Sequence, residues 1–369
     1  MASLSSQLPL QPSQENPPSN YSIYASFCCR DASPNTNMSI WIECYSPSIN
    51  AWHRITRIPG LIENHVLKGF SMASIGDSIY IIGGRLCHKL PGHVHDELDL
   101  EVRSSVLRYN VRDNEWHKCA SLSTPRFDFA CTVSDNKIYV AGGKCALACP
   151  RGISSAEVYD PALDEWKALP NMSTMRYKCV GVTWQGKIHV VGGFAERDNS
   201  YAERPWHILE RCSAEVYDSE HEKWDLVLGM WQLDVPPNQI VAVSGNLFSS
   251  GDCLNAWKGH IEAYDGKQNM WNEVDGSHLE TLSSPISTSD ATEENWPPIQ
   301  RLYLTMAPIG THLYFLAGYR LPGEISRSMS VVHVFDTSAN EYGWRSFEPM
   351  EEEGEKELCS HCCVVRQTL

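Results

Sequence analysis

The chain has 369 residues, of which 42% are hydrophobic and only 20% are charged, so it can bury a large core and is not expected to be disordered as a whole. Its formal net charge of −15 repels phosphate groups and argues against nucleic acid or an anionic membrane as a partner. No apolar run approaches a membrane span, and the N-terminus lacks a basic region followed by an apolar stretch, so we expect no membrane contact, no signal peptide and a cytoplasmic or nuclear location.

A repeat organises the sequence from about residue 21 to the C-terminus. An aromatic residue and a Trp stand seven positions apart at Tyr45 and Trp52, Tyr109 and Trp116, Tyr159 and Trp166, Tyr217 and Trp224, and Tyr264 and Trp271, with a stretched copy at Phe335 and Trp344. Paired glycines end the apolar run before three of these copies, at Gly83 and Gly84, Gly142 and Gly143, and Gly192 and Gly193. We therefore expect residues 1–20 to be a disordered polar segment and residues 21–369 to form a single repeat domain.

Each repeat predicts four strands, which we name a to d in chain order. Strands a and b are apolar runs separated by a tight polar turn such as Asp135 and Asn136. Strand b ends at the glycines, strand c carries the Tyr, and strand d begins at the Trp. A four-stranded sheet buries both of its faces only when other sheets pack radially beside it. The sequence therefore predicts an all-β, six-bladed β-propeller with four-stranded blades.

The double glycine, the following Tyr and the Trp resemble the kelch repeat, and the resemblance covers nearly everything from residue 21 onwards. It implies a kelch-type propeller similar to those of plant and animal kelch proteins, many of which carry an F-box or BTB segment before the propeller. Twenty polar residues cannot hold either segment, so we expect neither in this chain.

The two ends of the chain are predicted to share one blade. Residues 23–25 have the character of strand b, and no strand a precedes them. Residues 361–365 resemble the strand a runs at residues 129–131 and 179–181. We expect this C-terminal strand to complete the N-terminal blade and to close the ring.

The predicted functional surface carries the b-to-c and d-to-a connections, which are long and irregular, whereas the a-to-b and c-to-d turns are short. The b-to-c loops are predicted at residues 85–103, 144–154, 194–212, 252–260 and 319–329, and d-to-a segments at residues 281–300 and 348–358. Arginines and aromatic residues typical of interface hot spots lead us to predict partner contacts at Arg85, Arg126, Arg151, Arg176, Arg197, Tyr201, Arg204, Trp206, Trp257, Arg301, Tyr319 and Arg320.

These assignments have structural alternatives. A loop residue can instead stabilise its own loop, and Arg126, Arg176 and Arg301, at the start of strand a, can instead hold adjacent blades together by local hydrogen bonds. The Glu two positions before the Tyr, as in Glu157 and Glu215, could be mistaken for a catalytic carboxylate. A catalytic acid and base need different environments, whereas this Glu recurs in blade after blade, so we interpret it as a structural group.

No cofactor is predicted. The fourteen Cys are spread along the chain and are interpreted mainly as reduced core residues. Three groups lack the matched ligand pairs of a zinc site: Cys145 with Cys149; His88, His93 and His95; and Cys359, His361, Cys362 and Cys363. The resemblance also extends to plant specifier proteins, which bind iron through Glu, Asp and His at four-residue intervals. Here those intervals fall on Glu353, Glu357 and His361, with Glu in place of the Asp.

The sequence therefore predicts a monomeric, non-enzymatic protein-interaction module that binds a protein partner on its long-loop face. The kelch resemblance implies a substrate-recruiting subunit that acts with a ubiquitin ligase, or a scaffold in a regulatory complex. The alternative is a metal-dependent enzyme of the specifier type that acts on a small molecule in the axial pocket.

Overall fold

The computed structural model describes residues 20–30, 39–89, 97–196, 207–282, 300–320, 327–339 and 343–366. The segment predicted to be disordered, residues 1–20, lies outside these ranges except for its last residue. The described chain is almost entirely β-structure, as expected from short runs of β-branched and aromatic residues between turn residues. None of its helices has the length and apolar character needed to cross a membrane.

The strands are short and follow one another closely in the sequence. The first ten are β1 (Tyr21–Cys29), β2 (Trp41–Ser46), β3 (Ala51–Arg57), β4 (His65–Lys68), β5 (Ser71–Ile75), β6 (Ser78–Ile82), β7 (Arg85–Lys89), β8 (Glu97–Val102), β9 (Val106–Asn110) and β10 (Glu115–Cys119). The next are β11 (Ala130–Ser134), β12 (Lys137–Ala141), β13 (Ala156–Asp160), β14 (Glu165–Leu169), β15 (Met175–Tyr177), β16 (Val180–Trp184), β17 (Lys187–Val191), β18 (Phe194–Glu196), helix α1 (His207–Arg211), β19 (Ser213–Asp218), β20 (Lys223–Leu228), β21 (Ile240–Val243), β22 (Asn246–Ser249), β23 (Glu262–Asp265) and β24 (Met270–Glu273). A 3₁₀ turn (Glu280–Leu282) precedes β25 (Arg301–Ile309), β26 (His312–Arg320), β27 (Arg327–Asp336), β28 (Trp344–Ser346), β29 (Met350–Glu353) and β30 (Lys356–Arg366).

Six antiparallel sheets of at least four strands account for most of the described chain. Their strand orders are β30-β1-β2-β3, β5-β6-β9-β10, β11-β12-β13-β14, β16-β17-β19-β20, β21-β22-β23-β24 and β25-β26-β27-β28, with β29 also paired to β27. The first strand of each sheet contacts the first strand of the next, in the order β30, β5, β11, β16, β21, β25 and again β30. Sheets that meet side by side around their first strands form a β-propeller, so the predicted fold class is confirmed.

The last strand of the chain lies in the first sheet. β30 pairs antiparallel with β1, and Val364 stands opposite Ile23 in the register. Cys363 and Val365 are buried in the core that also contains Tyr24. The Ser74 hydroxyl of the neighbouring sheet donates a 2.7 Å hydrogen bond to the Val364 carbonyl. Residues 361–365 therefore take the place that the sequence predicts for them, as the first strand of the N-terminal sheet.

The seven-residue Tyr–Trp spacing has a direct structural cause. In the third sheet, Tyr159 and Trp166 stand opposite each other in the β13–β14 hairpin, with ring centroids 5.0 Å apart. The Tyr159 hydroxyl donates to Asp164 at 2.7 Å, and Asp164 takes the positive φ (51°) of the turn. The Trp166 indole N–H donates to the Ala120 carbonyl at 2.9 Å, which belongs to the segment after β10. In this pair the tyrosine therefore fixes the hairpin turn, and the tryptophan binds the preceding blade.

Substituting Trp166 by Ala is expected to lower the free energy of unfolding by about 2–4 kcal/mol. This lies near the lower end of the usual range for a fully buried aromatic, because the ring is only partly buried. Urea denaturation monitored by circular dichroism measures the change. The control is Lys167→Ala on the same strand, whose side chain is 74% exposed and whose loss should cost less than about 0.5 kcal/mol. A Trp166 variant with the wild-type urea midpoint would show that this side chain does not stabilise the contact between blades.

Three connections predicted as irregular loops contain strands. Within residues 85–103, the described strands β7 and β8 join β4 in a separate three-stranded sheet. Residues 319–329 include the end of β26 and the start of β27, because both strands of the last sheet run nine or ten residues. Residues 350–353, predicted to lie in a d-to-a connection, form β29 at the outer edge of the last sheet. In each case the extended residues satisfy one another's backbone groups by pairing.

Candidate partner-binding face

The b-to-c and d-to-a connections lie on one face of the propeller, because strands within each blade are antiparallel. We call the surface formed by these connections the loop face. Backbone hydrogen bonds hold the two kinds of connection together: Phe127 and Lys144 exchange bonds of 3.0 and 2.9 Å. A short sheet of β15 and β18 does the same one blade further on. The loop face is therefore a connected layer and not a set of independent loops.

The paired glycines are needed where the end of strand b lies against the segments that lead into its own blade and into the next blade. Gly143 has φ 91°, and a Cβ atom there would lie 2.7 Å from the Phe127 carbonyl oxygen. Its N–H donates to the Arg176 carbonyl at 2.7 Å. The positive φ and the close approach both favour glycine, which explains its place at the end of strand b.

Arg126 is fully buried beneath the loop face. Its guanidinium donates to the Gly142 carbonyl at 2.9 Å, to the Ser155 carbonyl at 3.1 Å and to the Glu157 carboxylate at 2.6 Å. The Arg126 carbonyl accepts a 2.8 Å bond from the Gly84 N–H of the preceding sheet. Burial lowers the pKa of Arg126, and the charge of Glu157 opposes that shift. The residue connects two blades through its backbone and its side chain.

Arg176 repeats this arrangement one blade further on. It is also fully buried, and its guanidinium donates to the Gly192 and Ser213 carbonyls at 2.9 and 3.1 Å. The prediction that Arg126 and Arg176 contact a partner is therefore wrong, and the alternative that they hold adjacent blades is confirmed. The carboxylates of Glu157 and Glu215 are likewise buried and hydrogen-bonded within the fold, which confirms their interpretation as structural groups.

Trp257 and Tyr319 were predicted on the loop face but belong to the core. Trp257 is buried against Phe315 and Trp344, with centroid distances of 5.5 and 5.9 Å. Tyr319 is buried on β26, and its hydroxyl donates to the Thr281 carbonyl at 3.2 Å. Their assignment as partner contacts is wrong because both large rings fill space between the last two sheets.

Four predicted contact residues reach the surface. Each already has a local interaction: Arg85 with Asp99 at 2.9 Å, Arg151 with Glu196 at 3.0 Å, Arg301 with the Leu282 carbonyl at 2.8 Å, and Arg320 with Glu355 at 2.7 Å. Arg151 is half exposed and joins two neighbouring connections of the loop face. Partner contacts of these four stay predictions. Arg197, Tyr201, Arg204 and Trp206 lie outside the described residues.

Exposed apolar side chains on the loop face were missed by the sequence reasoning. Ten large hydrophobic side chains are exposed among the described residues, and six of them lie in b-to-c or d-to-a connections: Ile62, Leu98, Leu100, Leu147, Leu209 and Leu254. Leu254 is 83% exposed. The alternation of Leu with acidic residues at positions 97–101 was a usable signal for a strand, but it would have predicted buried leucines.

Comparison with known proteins agrees with the repeat and the fold. Models of the kelch motif match residues 67–123 and 125–173. The chain therefore contains kelch repeats. An F-box/kelch-repeat protein of Arabidopsis thaliana is 27% identical over 84% of this chain and 76% of its own length.

Two further relatives cover less of this kelch-repeat protein. The F-box/kelch-repeat protein SKIP30 of Arabidopsis thaliana is 32% identical over 42% of both chains. Kelch-like protein 23 of Homo sapiens is 28% identical over 50% of this chain and 28% of its own length. The kelch-repeat protein therefore spans less than half the length of these two relatives.

The specifier-type iron ligands do not come together in this kelch-repeat protein. Glu357 and His361 lie four residues apart on extended β30, or about 13 Å along the strand. Glu357 accepts a 2.6 Å bond from Lys68, and, although burial opposes the shift, Lys68 and Lys89 lower the pKa of Glu357 to about 2. Burial lowers the pKa of His361, which instead meets the backbone of residue 238. Glu353 pairs with Arg327 across β29 and β27. These three residues therefore do not form the iron site of the specifier-type alternative.

Proposed function

We propose that this kelch-repeat protein is a non-enzymatic protein-interaction module whose partner docks on the loop face. The observation that carries the proposal is the set of six exposed apolar side chains on that face. Covering such side chains removes apolar surface from water, which is the main favourable term in protein association. Kelch repeats in the relatives, which include F-box/kelch-repeat and Kelch-like proteins, support the same class of function.

The chemistry of the β8 region indicates the kind of partner. Leu98 and Leu100 alternate there with Asp99 and Glu101, whose side chains are 42% and 57% exposed. In the described part of the chain β8 is the end strand of the β4-β7-β8 sheet, so an extended segment can add to its free edge. We infer a partner that presents apolar and basic residues in an extended segment. Its association should slow as salt rises.

We further propose that the protein acts as a monomer in the cytoplasm or nucleus and recruits its partner to a ubiquitin ligase or another regulatory complex. The support for this step is the F-box in the names of two relatives. Co-purification of a ligase subunit only when the propeller is intact would support this step. Co-purification of the partner without any ligase subunit would instead support a scaffold role.

The variant that tests the docking face combines Leu98→Ser, Leu100→Ser and Leu254→Ser. We expect its melting temperature to stay within a few degrees of the wild type, because the three side chains are exposed. We expect its dissociation constant for the main partner to rise at least tenfold, which corresponds to about 1.4 kcal/mol. The partner is identified by affinity purification and mass spectrometry, and binding is then measured with purified components.

The matched control places the same kind of change on the opposite face. Ile49 and Leu163 lie in c-to-d turns and are 65% and 67% exposed. Ile49→Ser with Leu163→Ser should leave the dissociation constant unchanged. Loss of binding in this control, together with normal binding by the triple variant, would show that the partner binds the face opposite the loop face and would overturn the proposal.

A further inference from the structure

Two histidines and a glutamate meet on the loop face of the β21–β24 sheet. One ligand atom from each of His260, Glu273 and His278 lies within 4.8 Å of those of the other two. His278 Nε2 and Glu273 Oε1 are 2.5 Å apart, and the rings of His260 and His278 have centroids 5.5 Å apart. Two imidazoles and one carboxylate form a ligand set that suits Zn²⁺ and leaves a fourth position open to water.

The charges around this group favour a cation. Glu273 stands opposite Glu262 in the β23–β24 pair, and like charges directly opposite each other destabilise a sheet. Lys258 compensates Glu262, with a 3.1 Å ion pair. Glu273 meets a histidine, which offers it a full positive charge only when protonated. A divalent ion between Glu273 and the two imidazoles would remove the repulsion without protonating either ring.

The backbone that carries the two histidines is held in place. The Leu279 N–H donates to the Gly259 carbonyl at 3.1 Å, and the Ile261 N–H donates to the Ser277 hydroxyl at 3.0 Å. These bonds fix the residues on either side of His260 and His278. The Glu262 carboxylate lies 3.7 Å from His260 Nε2, so its negative charge adds to the attraction for a cation beside that ring.

We propose that His260, Glu273 and His278 bind one Zn²⁺ ion and that this ion joins the connection before β23 to the segment after β24. Metal–ligand bonds of 2.0–2.2 Å in a tetrahedron place ligand atoms about 3.4 Å apart, so small side-chain rotations complete the site. The ion would brace the loop face at its fifth sheet. The inference does not depend on which partner that face binds.

A second group, Asp218, Glu220 and His221, provides the internal comparison. The Asp218 carboxylate already accepts a 2.9 Å bond from Lys187 and a 3.0 Å bond from the Glu220 N–H. A metal would have to displace the lysine, so we expect no tight site there. Each group has two exposed members and contains histidine and glutamate, which makes the second a suitable control for non-specific binding.

The test uses the full chain with Cys145→Ser, Cys149→Ser and Cys253→Ser, because these accessible thiols would compete for metal. After the metal is stripped with a chelator, Co²⁺ is titrated and followed by visible absorption, and Zn²⁺ affinity is measured by competition. We expect one equivalent of Co²⁺ with d–d bands and no thiolate charge-transfer band.

The double variant His260→Ala with His278→Ala should weaken Zn²⁺ binding at least 100-fold, and Glu273→Gln should weaken it at least tenfold. The control variant Asp218→Asn with His221→Ala should bind as the parent does. Thermal unfolding without metal checks that the variants fold. Undiminished binding in the folded double variant, a thiolate charge-transfer band, or no binding by the parent would each overturn the proposal.

Discussion

Removing residues 360–369 is expected to abolish cooperative folding or to lower the melting temperature by more than ten degrees. These residues supply most of β30, the first strand of the N-terminal sheet. The deletion removes buried Cys363 and Val365 and leaves the edge of β1 without its partner. Two buried side chains at about 1.5–3 kcal/mol each, with the lost strand pairing, account for much of a total stability of roughly 5–15 kcal/mol. Differential scanning calorimetry and size-exclusion chromatography measure the outcome.

A point variant and a peptide separate this effect from a general loss of residues. Arg366→Ala, at the exposed end of β30, should leave the melting temperature within about two degrees. A synthetic peptide of residues 356–366 added to the truncated protein should restore part of the lost stability. A truncated protein that melts like the wild type would show that β30 does not hold the ring closed.

Replacing Arg126 by Met is expected to cost about 3–5 kcal/mol of folding free energy. The change leaves the Glu157 carboxylate buried without its opposite charge, and removing one partner of a buried ion pair typically costs this much. It also leaves the Gly142 and Ser155 carbonyls without a guanidinium donor. Urea denaturation measures the change in the free energy of unfolding. An unchanged dependence of that free energy on urea concentration would indicate that the denatured state is the same in both proteins.

The double variant Arg126→Met with Glu157→Gln should be more stable than the sum of the two single changes predicts, since the pair is coupled. The Gln retains an acceptor for the Ser123 N–H, which donates to Glu157 at 2.8 Å. If the Arg126→Met variant kept full stability but no longer bound the protein partner, Arg126 would be a partner-contact residue after all.

The fold was predictable because the repeat spacing reports local geometry. Seven residues from Tyr159 to Trp166 are the length of one hairpin with the two rings opposite each other, and Gly142 marks a place where a side chain would collide with the Arg176 carbonyl at the entry to the next blade. The C-terminal strand was predictable for the same reason, since its apolar pattern matches other first strands. Each of these signals depends on neighbours in the sequence or on a repeated position.

The contact residues were harder to predict because residue type does not fix burial. Arg126 resembles a surface hot spot in sequence, yet Glu157 and three main-chain or hydroxyl oxygens allow it to be buried. Trp257 fills a gap between two sheets that are far apart in the sequence. Leu254 has the type of a core residue and is exposed because its turn projects outward, a fact that depends on tertiary packing.

The shared N- and C-terminal sheet also determines where anything attached to the propeller must emerge. Tyr21 and Arg366 are register partners at one end of the β1–β30 pair, and Cys29 and Lys356 mark the other end beside the loop face. A domain tethered to either terminus therefore leaves the ring from the same point. Nine residues of β1 span about 30 Å, so a tether begins roughly that far from the loop face. A flexible linker must pass around the rim of the first blade before an attached domain can reach that face.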